Sequence, residues 1–91
     1  MATLYGEIVS LSITESWVHP VDRQVVVRQR GRTLATGTVS PDDTFEIELP
    51  AGTSGEIEIT VGTQGVAPAT VEVTGTEVGV TMMYNPGGAY Y

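Results

Sequence analysis

The chain has 91 residues, 41% of them hydrophobic, and a formal charge of −7. That length suits one domain with a single thin core, burying roughly 60–65% of the unfolded surface. Eleven acids against four arginines, without lysine or cysteine, argue against nucleic-acid and anionic-membrane partners and remove disulfides and thiolate metal sites.

The first segment, Met1 to Glu7, has no basic stretch followed by an apolar one. It therefore predicts a product made in the cytoplasm without a signal peptide. No apolar run approaches the ~20 residues that a membrane-spanning helix needs. A first strand is predicted over Thr3–Ile13, with Leu4, Ile8 and Ile13 apolar and a bend or bulge at Gly6. Glu15–Pro20 reads as a loop. A second strand covers Val21–Arg30, with Val25 and Val27 on one face and Arg28 and Arg30 on the other. Gly31-Arg32 turns the chain, and Thr33–Val39 returns as a third strand.

Ser40-Pro41-Asp42-Asp43 is a turn, because proline presets φ and aspartate side chains bond nearby backbone N–H groups. The clearest strand follows. Phe45, Ile47 and Leu49 alternate with Thr44, Glu46 and Glu48, and Pro50 and Gly52 end the pattern. Glu56–Val61 alternates in the same way, Gly62–Pro68 is a loop, and the last strands are Ala69–Thr74 and Val78–Tyr84. Seven short strands predict an all-β fold, a small seven-stranded antiparallel β-sandwich of immunoglobulin-like or transthyretin-like kind over residues 1–84. Residues 85–91 are left as a flexible aromatic tail. The expected core is Val25, Val27, Phe45, Ile47, Leu49, Ile57, Ile59, Val61, Val71, Val73, Val80 and Met82.

Gly6-Glu7-Ile8-Val9, then Pro20-Val21 opening Val25-x-Val27, then Ala35-Thr36, then Asp42-Asp43-Thr44-Phe45-Glu46-Ile47-Glu48-Leu49-Pro50-Ala51-Gly52, make up a pattern that spans about Tyr5 to Val80. It resembles the carboxypeptidase-regulatory-like group of transthyretin-like β-sandwich domains. The chain departs from that pattern in two places. Asp43-Thr44 lacks the glycine of the turn before the aromatic, and Gly65-Val66 stands where an aromatic is usual. The resemblance implies a sandwich used as scaffold, stalk or binding module, and no catalytic residue is carried over.

Candidate chemistry is sparse. His19 is the one histidine, and Ser10, Ser12, Ser16, Ser40 and Ser54 sit in no nucleophile-elbow sequence. An enzyme is therefore not expected, and neither is a cofactor. One histidine without cysteine does not make an ordinary zinc site. Asp42-Asp43, with Asp22 or Glu77, lacks the alternate-residue spacing of a calcium loop and reads as turn chemistry. Glu46/Glu48 and Glu56/Glu58 read as solvated strand faces, not as a glycosidase pair in a cleft. Were their two strands neighbours, the four acids would repel, with Arg28 and Arg30 as the natural relief.

Three features point to a partner. Arg23, Arg28, Arg30 and Arg32 fall within ten residues and form either a solvated strand face or a basic stripe that docks on an acidic surface, including that of another copy. Trp17 in Trp17-Val18-His19-Pro20 is either a lid on the sandwich or a contact residue. Tyr90 and Tyr91 follow a Gly-Gly hinge, as either a disordered tail or a docking peg. The expectation is a non-enzymatic structural protein of a virion, most simply a bacteriophage capsid decoration or cement protein. It would bind a capsid or other virion protein as a closed homo-oligomer such as a trimer. The alternative is a carbohydrate-binding or adhesive module with Trp17 and the terminal tyrosines stacking on sugars.

Overall fold

The computed structural model describes residues 2–10, 23–62 and 65–84. Among them there is no helix. The strands are β1 (Thr3–Ser10), β2 (Gln24–Gln29), β3 (Arg32–Thr38), β4 (Thr44–Glu48), β5 (Gly55–Val61), β6 (Ala69–Val73) and β7 (Glu77–Tyr84). They form one sheet in the order β4-β1-β7 and a second in the order β3-β2-β5-β6. Residues of both sheets share one buried cluster, so the architecture is a two-layer β-sandwich.

The expected purely antiparallel arrangement is corrected in the first sheet. β1 pairs with β4 antiparallel but with β7 parallel, from Thr3↔Glu77 to Ser10↔Tyr84. Parallel neighbours need a long connection. Here the whole of β2 to β6 provides it, and this lets the first and last strands run side by side. Alternation within each strand carries no trace of that direction.

Alternation does dictate the core. On β4, Phe45 and Ile47 are buried between exposed Thr44, Glu46 and Glu48; on β5, Ile57, Ile59 and Val61 are buried. Two of the expected core residues, Val71 and Val80, are only partly buried and pack at its margin. Leu4, Ile8, Val39, Val66, Val78 and Tyr84 belong to the core as well.

Gly6 is not a bulge. It sits in regular register between Phe45 and Val80, and the Phe45 ring lies directly over it, so that a Cβ there would come within 2.0 Å of the ring. The glycine is needed for close approach. The bulge lies elsewhere: the β2–β3 register shifts between Val27↔Ala35 and Arg28↔Thr33, which leaves Leu34 as the extra residue. Leu34 and Ala35 both pack against the core as a result.

The turn before β4 closes without glycine. Asp43 itself takes φ of 67°, its N–H donates to the Ser40 carbonyl at 2.9 Å, and the Ser40 N–H donates to the Thr44 carbonyl at 2.7 Å. Aspartate is among the residues that tolerate the left-handed region. Asp42 completes the turn by accepting from the Thr44 hydroxyl at 2.7 Å and the Thr44 N–H at 3.3 Å.

The Thr44 hydroxyl bond, with the backbone N–H bond, holds the Asp42 carboxyl below its ordinary value, against a smaller opposing effect of desolvation. A carboxyl whose folded pKa is depressed stabilises the fold above its unfolded pKa and loses that contribution as pH falls through the folded value. The stability gap between wild type and Asp42→Asn is therefore expected to close on acidification below about pH 4. Thermal melts across that range check this, and a gap unchanged at low pH would remove the carboxylate from the turn's stability.

Candidate docking surfaces

The β2–β3 hairpin places the arginines. Six residues of β2 separate Arg23 from Arg30, and at about 3.3 Å per residue they span about 20 Å. Arg23 lies at one end of the sandwich and the Arg30–Gly31 turn at the other. The four arginines, which fall within ten positions of the sequence, therefore do not form one stripe. Arg28, Arg30 and Arg32 cluster at the hairpin tip, and Arg23 is apart from them.

Arg23 is engaged within the chain. Its Nη1 lies 3.6 Å from Asp43 Oδ1 and donates to the Ser40 carbonyl at 3.3 Å, tying the start of β2 to the turn before β4. This is the one ion pair among the described residues. At 28% and 36% side-chain exposure such a pair is worth at most about 1 kcal/mol.

The tip differs. Arg30 and Gly31 have φ of 52° and 80° and join the Gln29↔Arg32 pair as a two-residue loop. Positive φ at both positions suits the right-handed strand twist, and asparagine or glycine is the usual first residue. An arginine there carries backbone strain that glycine would avoid and asparagine would lessen. Arg30 and Arg32 are exposed and Arg28 is half-buried. None of the three has a carboxylate within ion-pairing distance among the described residues. Arg28 faces Glu58 directly across the β2–β5 ladder. On the inner side of the hairpin, Gln29 Nε2 donates to the Ser54 carbonyl at 2.7 Å and the Glu56 carbonyl at 3.3 Å, which anchors the tip to the start of β5.

The acidic pairs are not neighbours. β4 and β5 belong to different sheets, so Glu46/Glu48 and Glu56/Glu58 lie on opposite outer faces and do not repel one another. On the second sheet, Glu56 is opposite Glu72 and Glu58 is opposite Arg28. On the first, the rows read Glu48–Thr3–Glu77, Glu46–Tyr5–Gly79 and Thr44–Glu7–Thr81. Tyr5, Val9 and Met83 share this outer face, at 42%, 38% and 43% exposure, and are the exposed large hydrophobic residues among those described. Beside Tyr5 is an open depression of about 600 Å³, bordered by Glu7, Thr44, Glu46, Gly79 and Thr81.

No protein-family model matches the chain, and no curated protein matches it. Among the described residues no group of three or more His, Cys, Asp or Glu side chains could hold a metal ion, and no helix is long and apolar enough to cross a membrane.

Trp17, His19, Tyr90 and Tyr91 lie outside the described residues, as do Leu11 to Asp22 and the whole segment 85–91. The described residues break off at Ser10 and at Tyr84, which are register partners, and resume after Ser10 at Arg23. That is the end opposite the arginine tip. The face bearing Tyr5 was missed by sequence reasoning. Its signal was available in Tyr5-x-Glu7-x-Val9, an alternating set out of phase with Leu4-x-Gly6-x-Ile8.

Proposed function

We propose that this chain is a non-enzymatic structural protein of a virion, of the capsid decoration or cement kind, and that it docks through the hairpin tip bearing Arg28, Arg30 and Arg32. The observation that carries the reading is the Arg30–Gly31 turn. An arginine is held at a position where glycine or asparagine costs less, and its guanidinium is left exposed at the end of a well-braced hairpin. Backbone strain kept at an exposed charged position is better explained by contact than by folding. A small rigid sandwich that presents one basic point clamps a lattice by repetition, because many weak contacts add up on an array.

The same reading takes the chain as a carboxypeptidase-regulatory-like or transthyretin-like domain, a reading that the seven strands in two layers among the described residues support at the level of fold class. Phage particles produced from the genome that encodes this chain provide the test. Mass spectrometry of gradient-purified particles is expected to find the protein in fixed ratio to the major capsid subunit, and to lose it when Arg28 and Arg30 are both replaced by glutamate. Particles of full infectivity that never contain the protein would end the proposal.

A further inference from the structure

The exposed large hydrophobic side chains among the described residues are concentrated on one face. Tyr5, Val9 and Met83 lie on the outer side of the β4-β1-β7 sheet. Tyr5 is on the central strand, so its ring is approached from both sides. Glu46 stands opposite it on β4, Glu7 is two residues along β1, and Gly79 stands opposite it on β7 with no atom within 4 Å of where a Cβ would be. The space over Gly79 leaves one flank of the tyrosine open, and the depression there is bordered by two carboxylates and the hydroxyl-bearing Thr44 and Thr81. No lysine or arginine belongs to these rows.

An aromatic ring with carboxylates at its sides matches a guanidinium. The cation stacks on the ring face while its N–H fork meets the carboxylates. The same chain carries exposed guanidinium groups at the tip formed by Arg30 and Arg32, with no ion-pair partner among the described residues. We infer that the outer face of the β4-β1-β7 sheet, centred on Tyr5 and Glu46, receives the arginine tip of a second copy of this chain. The inference rests on the tip being a docking element, as proposed above, and adds the surface that it meets.

The tip is at the end of the sandwich and the receiving face on its side, so the contact is heterologous. Each copy uses one surface to give and another to take, which leads to a closed ring or an open chain. Each copy has a net charge of −7. That repulsion acts at long range and is screened beyond about 8–10 Å in physiological salt, whereas the tip-to-face contact acts at short range.

Heterologous contact gives a test that a symmetric dimer would fail. Arg30→Ser/Arg32→Ser spoils the tip without placing a carboxylate there and leaves the face, and Glu46→Arg spoils the face and leaves the tip. All three positions are exposed, so both variants should keep the wild-type melting temperature. In sedimentation velocity the wild type is expected to associate with concentration, and each variant alone to associate about tenfold or more weakly. An equimolar mixture of the two should form a one-to-one dimer and stop there, because its only intact tip meets its only intact face.

A wild type that stays monomeric at every concentration overturns the inference. So does a mixture no better than its components, or association unchanged in the Glu46→Arg variant. Association that appears only after residues 85–91 are removed would mean that the chain's own tail covers this face, and a monomer that binds oligosaccharide through Tyr5 would assign the face to a sugar. Either result ends the proposal. Glu46→Arg leaves the tip intact, so incorporation of that variant into particles, measured separately, tells loss of self-association from loss of capsid docking.

Discussion

Phe45→Ala is expected to lower the unfolding free energy by about 3–5 kcal/mol, the range for emptying a phenylalanine site in a packed core. Phe45 is 3% exposed on an edge strand, and its ring fills the space over Gly6 on the central strand. Few of the surrounding atoms can collapse into the void, because the backbone at Gly6 is held by β4 on one side and β7 on the other. Against a typical total of about 5–15 kcal/mol this loss is severe, and urea titration of the variant would show it as a large fall in midpoint.

Gly6→Ala alone is expected to cost roughly 1–3 kcal/mol by overpacking, since its Cβ would meet the ring at 2.0–2.5 Å. The two changes should not add. In the double variant the new methyl group occupies part of the space that the ring has left, so the combined cost falls short of the sum by about 0.5 kcal/mol or more. Simple additivity would mean that the ring does not rest on Gly6.

The second large effect is at Leu4. Leu4→Ala is expected to cost about 2–5 kcal/mol, although the residue is close to the start of the chain. Leu4 has 0% exposure and stands between Ile47 of β4 and Val78 of β7 in the central strand of its sheet. Val9→Ala, on the same strand but on the opposite face, should change stability by no more than about 0.5 kcal/mol. The contrast is a direct reading of which face of β1 is buried. Equal costs at the two positions would shift the register of β1 by one residue.

The candidate docking residues were legible only as residue types. Four arginines within ten positions suggested one basic stripe, and the length of β2 divides them between the two ends of the molecule. Arg23 has an intrachain role because the turn at Ser40–Asp43 folds back to it. That contact joins residues 20 apart in the chain, which periodicity does not register. The receiving face around Tyr5 is assembled from three strands that lie far apart in sequence. Tyr5, Glu46 and Gly79 become neighbours only through pairing register.

The sequence alone determined the all-β class, the seven strands and most of the inward-facing residues. Side chains alternate along an extended chain whatever that strand pairs with, so a period of two and the Gly, Pro and Asp turns are local properties. Tertiary structure alone decided that β1 is a central strand with a parallel neighbour, that Gly6 is a close-approach position beneath Phe45, and that the carboxylate pairs of β4 and β5 face opposite ways. Strand order and direction follow from which faces bury best against each other once the whole chain is collapsed, and such long-range choices leave no mark on the spacing of residues within any one strand.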